Sequence, residues 1–471
     1  AIRFHARRRP GHQGLGRRCR WNEGWREATW EEALARVADI LRANRGDALG
    51  MLVHPATSNE EGVLLARLAD ALGCGNLDHR IAQHDLSDGA AAAQFGMPVA
   101  EIETADAIVI VGSNLRHEVP LLHQRLRKAS LRGAKIHVIN PVDFDVTFAI
   151  ATRTIVAPSQ LASALARFKL EGGTKAVVIV GALAENGVHA AAIRQAASAF
   201  AAANNAALCR IPQGANALGL ANHGVLPTGR DAQAMLADGR AAYVIYGIEP
   251  GLDFADQARA LKALGAAKVV AFSHFACRST RAVADVILPI GLLPEVQGTL
   301  TNLNGVEQAA EAAGKLPGSA QSGSRVLRGL YDECRLPAME FVDIAQLRAR
   351  IVKQAVASGT GLASTAEPQD GFERISSSAL YRVDAITRRA HALQSHPLTR
   401  GAQLTLHPKD AEKLGLQAGQ MANVGDGSGS AALPVAISDK VAESCVWIES
   451  NYPATAPLSQ TAKLAIVRAV L

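Results

Sequence analysis

The sequence predicts an α/β protein in which parallel sheets are followed by a small β-barrel. Residues 105–141 carry the pattern of a strand, a turn, a helix and a second strand, which is the βαβ unit of a parallel sheet. Apolar runs alternating with helical patterns resume from residue 175. From residue 401 onward the pattern changes to short strands separated by Gly, Asp and Pro, which is typical of a compact β-barrel.

The βαβ unit is the stretch around which the rest of the chain is organised. Its first strand is a continuous apolar run at residues 108–111, as expected of a parallel strand covered on both faces. Ligands usually bind at the carboxyl ends of such strands. The candidate cofactor-binding residues there are Gly112, Ser113, Asn114 and Asn140. They could cradle a phosphate or a ribose, but we favour the interpretation that they are turn residues of an empty crevice.

The residues before this unit carry clear helix-start signals. The predicted elements are a helix at residues 30–43, a strand at 49–53, a second helix after residue 57 and a polar loop at 76–88. Thr29 and Glu32 form a capping-box pattern at the start of the first helix. Within the βαβ unit itself, Pro120 suits the first turn of the helix.

The residues after the unit predict a second α/β series and then a looser connection. The predicted strands lie at 175–181, 207–211, 242–247, 268–272 and 286–290, with helices at 190–203 and 254–264. From residue 294, Gly, Asn and Pro are typical of a connector. Within it we predict a helix at 338–356 and a flexible bridge at 358–369.

Composition excludes several classes of protein. The 471 residues are 48% hydrophobic and 20% charged, which favours packed cores over disorder. No apolar run approaches the ~20 residues that span a bilayer, and no secretory leader is visible, so we expect a cytoplasmic location without membrane insertion. The six cysteines include no CxxC pair, so we expect reduced thiols and no metal site.

The first 24 residues differ from the rest of the chain. They are rich in Arg, lack periodicity and begin without Met, so we expect a fragment with an irregular basic start. The arginines are Arg3, Arg7, Arg8, Arg9, Arg17, Arg18 and Arg20. Such a cluster could bind nucleic acid or lipid headgroups. We favour a disordered end or a partner-facing surface, because only 4% of the residues are aromatic and no nucleic-acid fold signature is present.

Two other patterns admit both a catalytic and a structural interpretation. In the polar loop, His79 with Asp85 or His84 with Asp88 could act as an acid/base pair. We favour a hydrogen-bonded structural loop, because no further residues complete an active site. Residues 425–429 are rich in Gly, but they lack a following helix and Lys, so they indicate a hairpin turn and not a phosphate loop.

Several segments, taken in order, resemble the molybdopterin oxidoreductase superfamily. They are WREATWEEAL (25–34), NLDHR (76–80), ADAIVIVGSN (105–114), RLRKA (125–129), VINP (138–141), Glu295 with GTLTN (298–302), and PG (317–318) ahead of VLR (326–328). Two more resemble the G subunits of bacterial complex I, the NADH–quinone oxidoreductase. They are YRVDAITRRA (381–390) with ALQ (392–394), and LHPKDA (406–411) with LGL (414–416). The order of these fragments over residues 25–471 carries the resemblance.

The resemblance implies two interleaved Rossmann-like parallel-sheet domains and a C-terminal double-psi β-barrel. The boundaries on that pattern are 1–24 for the irregular basic segment, 25–44 for a leading helix, 45–97 with 175–294 for the first α/β domain, 98–171 for the inserted α/β domain, 295–400 for a connector with a helix, and 401–471 for the barrel. In molybdenum members of the superfamily a pterin dinucleotide lies between the α/β domains.

The resemblance also places Gln83 where a ligating Cys, selenocysteine or Ser is expected in the molybdenum members. An amide is not the soft anionic donor that such a metal prefers. Ser87 lies nearby and stays open as a substitute ligand. We therefore expect no molybdopterin, no metal and no catalytic residue in this chain. The iron–sulfur clusters of the family bind Cys-rich segments that would precede residue 1.

For function, the resemblance implies a structural part of a respiratory oxidoreductase. The chain would support electron transfer from NADH to quinone and dock other peripheral-arm subunits of complex I. It would be held at the cytoplasmic face of the inner membrane through that complex. Two alternatives stay open: a catalytic molybdopterin-dependent oxidoreductase related to formate dehydrogenase, and a nucleic-acid-binding protein that uses the basic start.

Overall fold

The computed structural model describes residues 18–21, 24–89, 92–337, 341–351, 371–427, 429–458 and 463–469. Its strands are β1 (Arg18–Trp21), β2 (Gly24–Glu27), β3 (Leu49–Val53), β4 (Leu77–Asp78), β5 (Ala107–Val111), β6 (Lys135–Asn140), β7 (Thr152–Ile155), β8 (Ala176–Val180), β9 (Ala207–Arg210), β10 (Ala242–Tyr246), β11 (Lys268–Ser273), β12 (Val286–Pro289), β13 (Gly298–Thr301), β14 (Glu307–Ala310), β15 (Glu373–Ser378), β16 (Leu404–Leu406), β17 (Met421–Gly425), β18 (Ser430–Ile437), β19 (Cys445–Ser450) and β20 (Ala465–Arg468). Its α-helices are α1 (Trp30–Ala43), α2 (Asn59–Ala71), α3 (Leu115–Glu118), α4 (Pro120–Leu131), α5 (Leu161–Arg167), α6 (Ala182–Glu185), α7 (Ala190–Ala203), α8 (Ala217–Asn222), α9 (Ala232–Asp238), α10 (Gln257–Gly265), α11 (Arg278–Val283), α12 (Gly323–Glu333), α13 (Ile344–Ala349), α14 (His391–Gln394) and α15 (Pro408–Lys413).

The first domain is built on a seven-stranded sheet in the order β2-β1-β12-β11-β10-β3-β4. Strands β3, β4, β10, β11 and β12 are parallel. Apolar side chains cover both faces, with Tyr246 and Phe272 on one side and Tyr243 and Ile245 on the other. This agrees with the continuous apolar runs of the central strands.

The start of the described chain corrects the expectation that residues 1–24 are irregular. Arg18–Trp21 is a strand that pairs with β2 and, antiparallel, with β12. The edge of β12 offers unpaired backbone groups to which such a hairpin can add, whatever its side chains are. A composition rich in arginine therefore does not reveal this strand. Residues 1–17 lie outside the described part of the chain.

The inserted domain is built on a five-stranded parallel sheet in the order β7-β6-β5-β8-β9. The predicted boundaries ended this domain at residue 171 and assigned residues 175–294 to the first domain, and the strand pairing corrects this. Strand β8 pairs with β5, and β9 pairs with β8. Because β8 is a fully buried apolar run, its sequence suits the centre of either sheet and does not specify its neighbour. The chain returns to the first domain after β9.

The C-terminal domain is a mixed sheet in the order β15-β19-β16-β18-β17-β20. Its two ends meet where Phe372 and Leu464 exchange backbone hydrogen bonds of 2.9 and 2.8 Å, so the sheet closes on itself. The predicted boundary at residue 401 is too late, since β15 pairs with β19 and belongs to this domain. Strand β15 reads ERISSS, and its polar residues give a weak strand signal. The α/β fold class with a β domain at its end is confirmed.

The helix starts and the connector agree with the sequence at several points. Helix α1 begins with the predicted capping box, and Pro120 is the first residue of α4. In the connector, the Tyr331 hydroxyl donates to a backbone carbonyl of α2 at 3.0 Å, which packs α12 on the first domain. Of the helix predicted at 338–356, Ile344–Ala349 is helical, and the bridge predicted at 358–369 lies outside the described residues.

Candidate functional site

The four candidate residues lie together at the carboxyl ends of β5 and β6, in what we call the inserted-domain crevice. Gly112 follows β5 with a φ of +57°. A Cβ at this position would lie 2.6 Å from the Ala184 Cβ and 2.7 Å from the Ala184 nitrogen. Glycine is therefore required for α6 to approach the end of the strand this closely.

Ser113 and Asn140 join the two strand ends by a pair of hydrogen bonds. The Ser113 N–H donates to Asn140 Oδ1 at 2.7 Å, and Asn140 Nδ2 donates to the Ser113 carbonyl oxygen at 2.8 Å. Both residues are buried. The Asn140 amide thus satisfies backbone groups of the neighbouring strand end.

Glu118 completes this crevice, and reasoning from the sequence missed it. Its carboxyl group accepts from the Ser113 hydroxyl at 3.1 Å, the Asn114 N–H at 2.8 Å and the Ala182 N–H at 3.0 Å. Burial raises the pKa of Glu118, and these hydrogen bonds only partly offset the effect. A side chain of the chain itself therefore takes the donors that a phosphate would use. Its position four residues after Asn114 could have indicated a contact with the turn. Its contact with Ala182, 64 residues away, could not be predicted from the sequence.

Little space is left around these residues. The cavity beside Ser113 and Asn140 has a volume of about 20 Å³, and Leu115, Phe144 and Phe148 form part of its wall. Pockets that bind small molecules usually have volumes of about 300–1,000 Å³. A cavity of this size holds about one water molecule.

A buried ion pair fixes the polar loop that contains Gln83. Arg80 donates from Nε and Nη2 to the two Asp78 carboxylate oxygens, both at 2.9 Å, and from Nη1 to the Gly89 carbonyl oxygen at 3.0 Å. Burial raises the pKa of Asp78, but the charge of Arg80 and the hydrogen bonds from its side chain and backbone together outweigh burial, and the net pKa is lowered. Gln83 is buried, and its backbone carbonyl accepts from the Gln233 side chain at 2.7 Å.

Other residues of this loop are bound to groups of the same chain. His79 Nδ1 lies 2.6 Å from the Val225 carbonyl oxygen, and burial lowers the pKa of the imidazole. Asp85 accepts from the Ser87 hydroxyl at 2.6 Å and from the Ala191 N–H at 2.9 Å. The Ser87 hydroxyl that stayed open as a metal ligand is thus a donor to Asp85.

A partly buried charge network ties the loop to the inserted domain. Arg194 Nε donates to Asp88 at 2.6 Å, and Arg194 Nη1 lies 3.3 Å from Glu185. Glu185 is fully buried and also binds Arg210 at 2.7 Å. Because each buried charge has an opposite partner, the network holds the loop against α6, α7 and β9 without leaving a bare ion.

The space between the loop, the inserted domain and the barrel is also small. Its cavity has a volume of about 30 Å³. It is lined by His84 from the loop, by Pro141, Pro158 and Leu183 from the inserted domain, and by Ile375 from β15. Three parts of the chain therefore meet here in nearly closed contact, in a volume about a tenth of what a small ligand needs.

A segment of the chain covers the carboxyl end of the seven-stranded sheet, and we call residues 381–394 the arginine segment. Its Ala385 and Ile386 pack with Phe275 and Leu292 of the first domain. The Arg389 guanidinium carbon lies 3.8 Å from the centre of the Phe275 ring, which is cation–π geometry. The segment thus occupies the position at which ligands meet sheets of this type.

Two arginines of this segment pair with carboxylates that follow β10. Arg388 Nη1 lies 2.8 Å from Glu249 Oε2, and its Nη2 pairs with Asp253, while Arg389 pairs with the other Glu249 oxygen. Arg388, Glu249 and Asp253 are all buried. Burial raises the pKa of Glu249, but the two guanidiniums outweigh it and lower the pKa. Both arginines belong to the family-like stretch 381–390, but the sequence assigned them no contact.

The described residues contain neither a metal-binding cluster nor a membrane-spanning helix. Within them, no group of three or more His, Cys, Asp or Glu is arranged to hold a metal ion. None of the helices in the described ranges has the length and apolarity needed to cross a bilayer. Burial raises the pKa of the Cys74 thiol to about 11 and that of Cys209 to about 12, so both are unreactive at neutral pH.

Two family models match the sequence. The molybdopterin oxidoreductase model matches residues 8–333, and the molydopterin dinucleotide binding domain model matches residues 374–466. The second match begins within β15, in agreement with the corrected start of the C-terminal domain.

Curated relatives are similar over long stretches. The G subunit of NADH-quinone oxidoreductase from Mycobacterium bovis is 25% identical over 481 residues, which cover 90% of this chain and 59% of that protein. The mitochondrial NADH-ubiquinone oxidoreductase 78 kDa subunit of Neurospora crassa is 28% identical over 344 residues, 69% of this chain and 44% of that protein. The F420-dependent formate dehydrogenase subunit alpha of Methanocaldococcus jannaschii is 35% identical over 126 residues, 25% of this chain and 18% of that protein. The chain therefore spans less than two thirds of each of these relatives.

A solved structure shares the fold. Acetylene hydratase from Pelobacter acetylenicus superposes with a TM-score of 0.62 over 94% of this chain and 84% of that chain, at 15% sequence identity. At this identity the likeness concerns the fold alone.

Proposed function

The chain belongs to the molybdopterin oxidoreductase family, and from that premise we propose that it is a structural part of a G subunit of NADH–quinone oxidoreductase with a vestigial pterin site. The proposal rests on the inserted-domain crevice, which is filled by side chains of the chain itself. There, Asn140 and Glu118 bind backbone groups of their own chain at the strand ends. A crevice that satisfies its own polar groups gains little from a ligand.

The residues at the expected cofactor position do not fit a pterin–metal group. Gln83 stands where the resemblance places a metal ligand, and an amide is a poor donor for a soft metal. The cavities of about 20 and 30 Å³ are far smaller than a dinucleotide. Besides these two cavities, a ligand could bind at the carboxyl end of the seven-stranded sheet, but the arginine segment covers that end. These observations support a chain that has no catalytic step of its own.

The proposed role is mechanical support for electron transfer from NADH to quinone. On this proposal the iron–sulfur clusters belong to the N-terminal half of the whole subunit, and this chain stabilises that half and docks other subunits of the peripheral arm. It is placed at the cytoplasmic face of the inner membrane through the complex. Similarity to subunits of NADH-quinone and NADH-ubiquinone oxidoreductases supports a place in such a complex.

Elemental analysis tests the vestigial site. We expect the purified chain to contain neither stoichiometric molybdenum or tungsten nor pterin, measured by mass spectrometry of metals and by pterin fluorescence after oxidation. A formate dehydrogenase alpha subunit produced in the same cells is the control that shows cofactor supply. A Gln83→Cys variant should also stay empty, because the crevices remain closed. One pterin and one metal per wild-type chain would overturn the proposal.

A catalytic molybdopterin-dependent oxidoreductase is the second candidate. It is favoured by the 35% identity to the formate dehydrogenase alpha subunit, although that stretch covers only 25% of this chain. The same metal and pterin measurement separates the two candidates.

A further inference from the structure

We infer that the outward face of α4 is a docking surface for an acidic surface on another protein of the complex. This inference rests on the proposed function, because it names where this chain meets a neighbour in the complex. It draws on three observations about α4: its exposed leucines, its cluster of cations and the spacing between them. The surface consists of Leu121, Arg127, Lys128, Leu131 and Arg132, and we call it the α4 face.

Helix α4 already uses its apolar face within the inserted domain. Leu122, Leu126 and Ala129 are buried there against the five-stranded sheet. Two more leucines point the other way, since Leu121 is 82% exposed and Leu131 is 73% exposed. Single exposed leucines are common. These two lie ten residues apart, about 15 Å along the helix axis and about 80° apart around it, so one partner surface could contact both.

The surface between the leucines carries one sign of charge. Arg125, Lys128 and Arg132 surround a single carboxylate, Glu103, with side-chain exposures of 40%, 45% and 59% against 10% for Glu103. Arg127 adds a fourth exposed cation on the same helix. One carboxylate cannot neutralise Arg125 and the three cations of the α4 face together, so the α4 face stays positive. Its complement is a surface of carboxylates flanked by two apolar pockets.

A protein fits this pattern better than a polyanion. Nucleic acids are bound through phosphate contacts and stacking on aromatic rings, and the α4 face carries no aromatic residue. An anionic membrane binds helices whose apolar face is free, whereas the apolar face of α4 is buried in its own domain. Leucines that flank charges are the expected anchors of a protein interface, where apolar groups bind in pockets and charges set the orientation.

The first test uses amine labelling and zero-length cross-linking in the assembled complex. Lys128 and Lys413 have exposed side chains, at 45% and 66%, so both react in the isolated chain. We expect labelling of Lys128 to fall about tenfold on assembly relative to Lys413, the reference position on the barrel. A carbodiimide should then join Lys128 to an Asp or Glu of another subunit, as identified by mass spectrometry.

The second test uses variants of exposed residues that should leave the fold intact. Leu121→Ser with Leu131→Ser, and Arg127→Glu, should each weaken retention in the complex about tenfold or more, because interface anchors contribute most of the binding energy. Leu398→Ser and Arg325→Glu are the matched controls, since both residues are exposed on other parts of the chain. Unchanged Tm values show that the variants are folded.

The outcomes separate the two proposals. A chain that is absent from the complex overturns both the proposed function and this inference. A chain that is present, with Lys128 labelled as strongly as in isolation or with both α4 variants fully retained, overturns the inference alone. The chain could instead bind random duplex DNA or anionic vesicles in a salt-sensitive way that needs the cations but not the leucines. That result would show that the partner is a polyanion and not an acidic protein, and would overturn the inference. Loss of retention in both α4 variants with the Lys128 cross-link supports the inference.

Discussion

The two crevices of this chain are closed by different means. In the inserted-domain crevice the closing contacts are mostly local, since Ser113 lies 5 residues from Glu118 and 27 from Asn140. In the seven-stranded sheet the closing contacts are distant, since Arg388 lies 139 residues from Glu249 and 135 from Asp253. One crevice is therefore closed by its own βαβ unit together with the start of α6, and the other by a segment that joins from the far end of the chain.

The two crevices also differ in the groups that bind their buried carboxyl side chains. Glu118 is bound by neutral donors, so burial dominates and its pKa is raised. Glu249 is bound by two guanidiniums, and although burial raises its pKa, the charges and hydrogen bonds of the two groups together lower it. Burial therefore disfavours the charged form of the carboxyl group in the first crevice, whereas the second crevice depends on ionised groups. Perturbing the two should give effects that differ in size and in pH dependence.

The largest expected effect comes from Arg388→Leu. The change leaves Glu249 and Asp253 buried with an incomplete set of partners, which should cost about 3–5 kcal/mol. The arginine segment should then detach, seen as a lower Tm and as new protease cleavage within residues 381–394. Adding Glu249→Gln and Asp253→Asn to this variant should recover part of the Tm. If Arg388→Leu left both Tm and cleavage unchanged, the ion pairs would not be what closes this crevice.

Gly112→Ala tests the inserted-domain crevice by adding a methyl group where α6 leaves no room for it. The added Cβ meets Ala184 backbone and side-chain atoms at 2.7 and 2.6 Å, and the backbone keeps a positive φ. Strain and overpacking together should cost about 3 kcal/mol. Gly133→Ala is the matched control, because Gly133 has a φ of +100° but no neighbour within 4 Å of a Cβ. It should cost only about 1 kcal/mol by chemical denaturation, and an equal cost at both glycines would contradict the close approach of α6.

The comparison also shows how far sequence reasoning reaches. The βαβ pattern located β5, β6 and the four crevice residues, because apolar periodicity and turn residues are local signals. Within that unit even Glu118 was within reach, as a Glu just after the turn. The pairing of β8 with β5 was not, because a buried strand of small and β-branched residues suits more than one neighbour.

Contacts between distant residues were not predicted either, because the sequence signals are local. The resemblance picked out the two arginines of residues 381–390, but nothing local connects Arg388 to carboxylates that follow β10. The start of the barrel was missed because β15 is polar and its pairing with β19 spans about seventy residues. Sequence periodicity records which face of an element is buried, and it does not record which element covers that face.

Asn140→Ala should lower the stability of the inserted-domain crevice by a moderate amount. It removes both partners of the buried Ser113 backbone groups, so the loss should be about 2 kcal/mol. Hydrogen exchange of the Ser113 amide should accelerate, while amides of the arginine segment should keep their rates. Faster exchange in both regions would show that the two crevices open together, which would contradict their independence.

The smallest effect, and the one that separates the two crevices by pH, is expected from Glu118→Gln. A raised folded-state pKa means that the stabilisation from Glu118 is fully present below its ordinary value of 4.5 and is lost as pH rises through the folded-state value. Gln cannot ionise and places an NH₂ group among donors, so its deficit should be about 1 kcal/mol at acid pH and should shrink as pH rises. For Glu249 the sign is opposite, because a lowered pKa means stabilisation that is present above 4.5 and lost as pH falls. Protection of the Asn114 amide and of the Arg389 amide, taken relative to the intrinsic exchange rate at each pH, should therefore change in opposite directions over acid pH. A deficit of Glu118→Gln that grows with pH would show that Glu118 is held as a carboxylate.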